Sequence, residues 1–257
     1  MMKETRFMAV AVAALMAACV SFAGCGGSSS SSKAGGESKA SEAKAAKATA
    51  KKDSEVKVGS VYVMKTEVTQ AQYKAVTGAN PSKFAGNDDW PVERVSWYDA
   101  LAFCNLLSEK EGLKPCYSVN GSTNAGKWGE GGKDYKDKDV ERNEKANGWR
   151  LPTVEEWLAA ADDGHLYSGG DNIDDVAWYV KNSDDHPQKI GTKAANANGL
   201  YDMTGNVYEW CWDKEGSGHI RLGGSWSSNT DQCAVSKRSS GSRGGDITGF
   251  RPVRNAN

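Results

Sequence analysis

The sequence lacks a charge imbalance: 32 Lys and Arg stand against 33 Asp and Glu, for a formal net charge of −1. A chain that gripped phosphate backbones or an anionic bilayer through its overall field would be far more basic, so no nucleic-acid partner is expected. No CxxC pair occurs, and His165, His186 and His219 are scattered rather than clustered. The cysteine and histidine spacings therefore do not read as a zinc or iron site. No apolar run is long enough to span a bilayer. The longest, Phe7 to Phe22, has 16 residues, against the roughly 20 that a helix needs to cross. There is no internal repeat, which sets aside solenoids and propellers.

What is present is aromatic. Nine Trp and nine Tyr in 257 residues supply enough large anchors for a substantial core. The N-terminus stands outside it. Lys3 and Arg6 precede the apolar run, which ends in Phe22-Ala23-Gly24-Cys25, the pattern of a secretory signal closing on a bacterial lipobox. Residues 1–25 are read as a lipoprotein signal peptide with Cys25 as the lipidated residue; an ordinary signal peptide cleaved nearby is the plainer alternative. Residues 26–52 contain only Gly, Ser, Ala, Lys, Glu and Thr. They cannot bury enough apolar surface to offset their ordering entropy, and read as a flexible tether. The expected location is the outer membrane or cell surface, with the membrane reached through the N-terminal lipid.

With Cys19 in the signal and Cys25 lipidated, Cys104, Cys116, Cys211 and Cys233 remain. Outside the cytoplasm they can pair as disulfides; their apolar settings favour free, buried thiols instead.

Residues 53–257 form the domain. Val56 onward alternates through Val61, Val63 and Val68 as a strand. Thr69 with Gln72, Ser96 with Trp97-Tyr98-Asp99, and Thr153 with Glu156 are helix starts, the first and last being capping boxes; Gly78, Gly112 and Gly164 are stops. The second helix points Ala100, Leu101, Phe103, Cys104 and Leu107 towards the core. The polar stretch 117–147, including the Lys133–Asp139 run, is a solvated loop or hairpin. Short helices early, and short strands with many glycines later, give an α+β domain.

The last part, about 223–251, opens with Gly223-Gly224-Ser225-Trp226 and closes with Gly249-Phe250-Arg251. Ser, Gly, Asp, Asn, Thr and Arg dominate what lies between. Framed polar loops of this kind suit ligand binding.

Six ordered stretches carry a resemblance: EVTQAQYKAV (67–76), PVERVSWYDALAFCN (91–105), GWRLPTVEEW (148–157), GLYDMTGNVYEWCWD (199–213), RLGGSW (221–226) and GFR (249–251). Together they resemble the formylglycine-generating-enzyme, or sulfatase-modifying-factor, family. The resemblance implies a C-type-lectin-like fold, with short helices, small antiparallel sheets and much irregular chain. The family's enzymes use two cysteines after the GGS and a copper ion. Those positions fall here on Ser228 and Cys233, and a serine is a poor ligand for soft Cu(I). The resemblance therefore implies no catalytic residue and no copper. Its structural calcium maps onto Asp202, Gly205, Val207 and Glu209, with hydrogen-bonded turn carboxylates as the alternative.

A narrower resemblance is to proteins of this fold whose C-terminal cassette is rewritten by diversity-generating retroelements. Adenine randomisation of AAY codons reaches Ser, Gly, Asp, Asn and Thr but not Lys, Gln, Glu, Met or Trp. Ser227, Ser228, Asn229, Thr230, Asp231, Ser236, Ser239, Ser240, Gly241, Ser242, Gly244, Gly245, Asp246 and Thr248 fall in the reachable set and become the candidate ligand-binding positions. Gln232 and Lys237 do not. Variable side chains are expected to face solvent, with Cys233, Ala234, Val235, Ile247 and Phe250 turned inward. The expected partner is a protein or other surface molecule, and the expected state a monomer.

Overall fold

Local chemistry starts most of the elements in the computed structural model, which describes residues 54–128, 139–241 and 243–256. Cys25, the 26–52 stretch, most of the Lys133–Asp139 run and Ser242 lie outside these residues. The alternating Val pattern forms two strands rather than one, β1 (Glu55–Val58) and β2 (Val61–Met64), paired antiparallel with Val56 opposite Val63. Gly59, at φ 55°, turns the chain back between them, a conformation open to glycine at little cost. Val68 lies beyond the hairpin, fully buried; its amide donates to Phe250 O at 3.1 Å and its carbonyl accepts from Val92 N at 2.8 Å.

The three longest helices start on capping boxes, in which a hydroxyl side chain and the residue three further on satisfy each other's backbone amides. Thr69 and Gln72 begin α1 (Gln70–Thr77), and Gly78, in the left-handed region, closes it. Ser96 and Asp99 begin α2 (Trp97–Lys110), which buries Trp97, Ala100, Leu101, Phe103 and Cys104 and leaves Leu107 half-buried. Thr153 and Glu156 begin α3 (Val154–Ala161). The remaining helices are single turns, α4 (Ile173–Val176) and α5 (Thr230–Cys233).

The strands that follow are β3 (Tyr117–Val119), β4 (Val140–Arg142), β5 (Trp149–Arg150), β6 (Tyr208–Glu215), β7 (Gly218–Leu222), β8 (Arg238–Gly241), β9 (Thr248–Gly249) and β10 (Val253–Asn255). They make a four-stranded sheet in the order β1-β2-β10-β5, a β3-β4 hairpin, and a second four-stranded sheet in the order β8-β7-β6-β9. β10 is antiparallel to both its neighbours, so the end of the chain is the interior strand of a sheet whose edge is the N-terminal hairpin. The α+β class, short helices, small sheets and abundant irregular chain are as the sequence implies.

Two hydrophobic clusters hold the layers together. One gathers Trp97, Phe103, Tyr117, Trp149, Trp210 and Phe250 around α2. The other packs Trp157 and Ala161 of α3 on Val61, Val63, Met203, Leu222 and Val253. A third, smaller cluster lies under α5: Tyr167, Ile173, Val176 and Tyr179 surround Cys233 and Ala234. Cys104, Cys116, Cys211 and Cys233 are free and buried. They fill core space as small apolar groups.

Candidate functional site

The 223–251 segment is anchored at both ends by backbone that tolerates nothing larger than glycine. At Gly224, with φ 79°, an added Cβ would lie 2.7 Å from Cys233 Sγ and 3.0 Å from its Cα. The paired glycines thus let the strand end pass directly over α5. Trp226 follows, 9% exposed, standing edge-on to Phe84 at 5.6 Å. Its indole N–H donates to Asp246 O at 2.9 Å, and its backbone carbonyl accepts from Ser183 Oγ at 2.8 Å. One aromatic side chain therefore joins the two ends of the loop to a neighbouring turn. At the far end Arg251, fully buried, donates to both oxygens of Glu209 and to the carbonyls of Met64 and Tyr201.

Between these anchors the candidate side chains divide. Ser227, Asn229, Asp231, Ser236 and Ser240 are exposed, and Thr230, Ser239, Gly241, Gly245 and Asp246 are half-buried. Cys233, Ala234, Val235 and Phe250 are buried, while Ile247 is only half-buried. Three positions depart from the solvent-facing expectation, two of them through buried side chains. Ser228 is 3% exposed because its Oγ accepts from Ser225 N at 3.0 Å and lies 3.4 Å from the Tyr208 hydroxyl. Thr248 is fully buried in β9 and accepts from Arg221 Nη1 at 2.6 Å. Gly244 departs for a backbone reason: a Cβ there would lie 2.1 Å from Val95 O, whereas Gly245 has open space. Gly244→Ala is accordingly expected to cost about 1–3 kcal/mol through overpacking, and Gly245→Ala well under half of that; paired denaturant titrations would show whether the two differ.

Asn229 is exposed yet has a structural task. Its Oδ1 accepts from Gln232 N at 3.0 Å while Gln232 Oε1 accepts from Asn229 N at 3.0 Å, closing a capping box on α5. Ser, Asp or Thr at 229 would keep that cap. The single-turn helix was not legible in advance, since four residues give no periodicity to read.

At the pair of positions that carry the family's cysteines, Ser228 is engaged as above and Cys233 is sealed in the cluster beneath α5. Burial pushes the Cys233 thiol up to about 12, although the neighbouring Ser225 backbone amide pulls the other way. A thiol so held stays protonated at neutral pH, and the thiolate is the form that attacks or binds metal.

Of the residues mapped to calcium, Glu209 pairs with Arg251 and Asp202 lies within its electrostatic reach. Glu209 is 1% exposed; its Oε1 accepts from Arg251 Nη2 at 2.8 Å and its Oε2 from Trp157 Nε1 at 2.7 Å. Its oxygens are thus committed to nitrogen donors. Asp202 is different: Oδ2 accepts from Gly191 N at 2.6 Å, but Oδ1 is buried with no hydrogen-bond partner. Burial pushes its carboxyl up to about 6. The donor set therefore fits a hard cation at Asp202 and does not fit it at Glu209. Gly205 and Val207 supply only backbone oxygens. Glu67, absent from the sequence-derived set, joins this group: it is 1% exposed, lies 3.3 Å from Asn206 Nδ2, and burial raises its carboxyl well above the usual range, with Asp202 and Glu209 adding to the rise. No cluster of three or more His, Cys, Asp and Glu side chains among the described residues is arranged to hold a metal ion.

Comparison with known proteins agrees with this geometry. The model of the sulfatase-modifying factor enzyme 1-like domain matches residues 26–256. The chain is 38% identical over 219 residues to a Paenibacillus barcinonensis protein named chaperone protein LppX, covering 72% of this chain and 75% of that one. Among solved structures it is similar to Treponema denticola variable protein 1, with TM-score 0.70, 34% identity, and 76% and 84% of the two chains covered. It is also similar to CarF, with TM-score 0.63, 27% identity, and 77% and 87% covered. The chain belongs to the sulfatase-modifying-factor family and has its lectin-like scaffold.

Proposed function

We propose that this member of the sulfatase-modifying-factor family is a lipid-anchored, surface-displayed binding protein whose C-terminal segment is diversified by a retroelement, and that it is not an oxidase. The observation that carries the reading is the contrast inside one segment. Trp226, Cys233, Ala234 and Phe250 are buried, while Ser227, Asn229, Asp231, Ser236 and Ser240 are exposed between them. Such a surface can change its side chains without changing its frame. The similarity to a Treponema denticola protein named as variable supports the same reading, and so does the similarity to a relative named as a chaperone rather than an enzyme. Cys25 would carry the lipid and residues 26–52 would lift the domain from the membrane.

The reading predicts tolerance. Alanine at Ser227, Asp231, Ser236 and Ser240 is expected to leave stability within about 0.5 kcal/mol per site, measured by chemical denaturation. Unfolding of such variants would remove the display reading. The locus offers a direct test: a reverse-transcriptase gene beside a near-identical template repeat, differing only at adenines, is the expected finding. The alternative, a formylglycine-generating oxidase, requires copper binding and conversion of the cysteine in a CxPxR peptide; Ser228 and the neutral Cys233 thiol argue against both.

Calcium, in this reading, is a structural ion held by Asp202 together with backbone oxygens of Gly205 and Val207, while Glu209 stays on Arg251. Hard cations prefer such oxygen donors. Removal of calcium with a chelator is then expected to lower the melting temperature of the natural chain and leave Asp202→Asn unmoved. Equal responses of the two proteins would exclude the ion from Asp202.

A further inference from the structure

Five arginines of this domain sit on carboxylates. Arg150 sits on Glu156, Arg142 on Glu144, Arg238 on Glu215, Arg251 on Glu209 and Arg254 on Glu55. Arg221 is the exception among the half-buried ones. It stands in the middle of β7, opposite Trp210 of β6 on one side and Ser239 of β8 on the other. Its guanidinium carbon lies 4.7 Å from the Tyr208 ring centre and 5.9 Å from that of Trp210. Nη1 donates to Thr248 Oγ1 at 2.6 Å and Nε to Ser239 Oγ at 3.4 Å. Among the described residues no ion pair involves it, and Nη2 makes no protein hydrogen bond.

Such a placement has a cost. Taking a cation from water without a counter-charge is unfavourable, and burial pulls the Arg221 guanidinium below its usual range. The aromatic faces and two hydroxyl oxygens offset part of this, but neutral groups do not replace a carboxylate. The planar fork is also held in one orientation by its two bonds, which is the preorganisation that oxyanion recognition uses. Its surroundings belong to the candidate ligand segment. Ser239 and Thr248 touch it, and a Cβ added at Gly241 would lie 3.9 Å from its Cζ. The glycine leaves open the space that a side chain would fill.

From this geometry we infer that Arg221 is a fixed oxyanion receptor at the centre of the variable surface, taking a carboxylate or phosphate group of the ligand on its free Nη2 edge. The inference deepens the binding function proposed above and rests on it for the identity of the surface. Residues 239, 241 and 248 then shape the approach to a constant charge, so that variation alters which anionic molecule fits rather than whether an anion is taken.

The test uses the domain with acetate and inorganic phosphate as probes, and chloride at matched ionic strength as control. Arginine-side-chain nitrogen NMR is expected to show a saturable shift of the Arg221 Nε–H resonance with acetate, phosphate or both in the millimolar range. The stronger of the two identifies the group. The backbone amides of Ser239 and Gly241 should shift along the same saturation curve; Arg221→Met should abolish that amide response, and Arg221→Lys should weaken its apparent affinity at least about fivefold, because an ammonium cannot reproduce the fork. A non-saturating shift that chloride reproduces, or a response that survives in a folded Arg221→Met domain, overturns the receptor; the first measurement stands even if that variant does not fold. Failure here with the alanine-tolerance result intact removes only the anion site. Failure of tolerance with a saturable Arg221 response removes the display function and leaves the receptor.

Discussion

Arg251→Met is expected to destabilise the domain by about 3–5 kcal/mol, the loss typical when one member of a buried ion pair is removed and the other is left uncompensated. The cause is visible around it. Arg251 and Glu209 are 0% and 1% exposed at the side chain and meet at 2.8 Å. Glu67 and Asp202 lie in the same buried region, so the guanidinium is the cation facing three carboxyl groups. Removing it also orphans the carbonyls of Met64 and Tyr201. Urea unfolding of the two proteins measures the difference. Adding Glu209→Gln to the variant should recover part of the loss, because the strandedness of the carboxylate, rather than the absence of attraction, is the larger component. A single-variant loss below about 1 kcal/mol would mean that water reaches the cluster and that the pair does not hold the two motifs together.

Trp226→Ala is the second large effect, again about 3–5 kcal/mol, the range for truncating a buried large aromatic side chain. Here the loss combines the cavity against Phe84 with an orphaned Asp246 carbonyl. The informative comparison is its neighbour. Ser227 is one residue away and exposed, so Ser227→Ala should leave the unfolding midpoint nearly where it was. A steep contrast between adjacent positions is the signature of a framed variable surface. If the Trp226 and Ser227 substitutions cost the same, the frame is elsewhere.

How much of this was readable beforehand depended on whether the signal was local. Capping boxes at Thr69, Ser96 and Thr153 are satisfied within three residues, and the helices they start could be placed from the chain alone. The β1-β2 hairpin carried a local signal that reading one strand passed over: the valines change phase across Gly59-Ser60, from 56 and 58 to 61 and 63, where the two-residue turn lies. Within the candidate site, composition separated the polar stretch from its anchors but could not separate its own members. Ser227 and Ser228 are the same residue type, and only the reach of Ser225 N and the Tyr208 ring towards Ser228 turns that one inward. Gly244 and Gly245 likewise differ by what passes beside them, Val95 O in one case and open space in the other. Glu67 lies in a recognisable motif, yet its place beside Asp202 and Glu209 is a long-range fact with no sequence spacing to announce it.

β10 occupies an interior position between β2 and β5, and Arg251 just before it closes the buried charge cluster. Everything that lies between Trp226 and Phe250 is therefore translated before the elements that lock the scaffold. A polypeptide cut short anywhere between Trp226 and Phe250 would lack the interior strand of its first sheet and the arginine of its buried charge cluster. The last strand thereby acts as a check on all that precedes it: only a polypeptide that reads through Val253–Asn255 completes the first sheet.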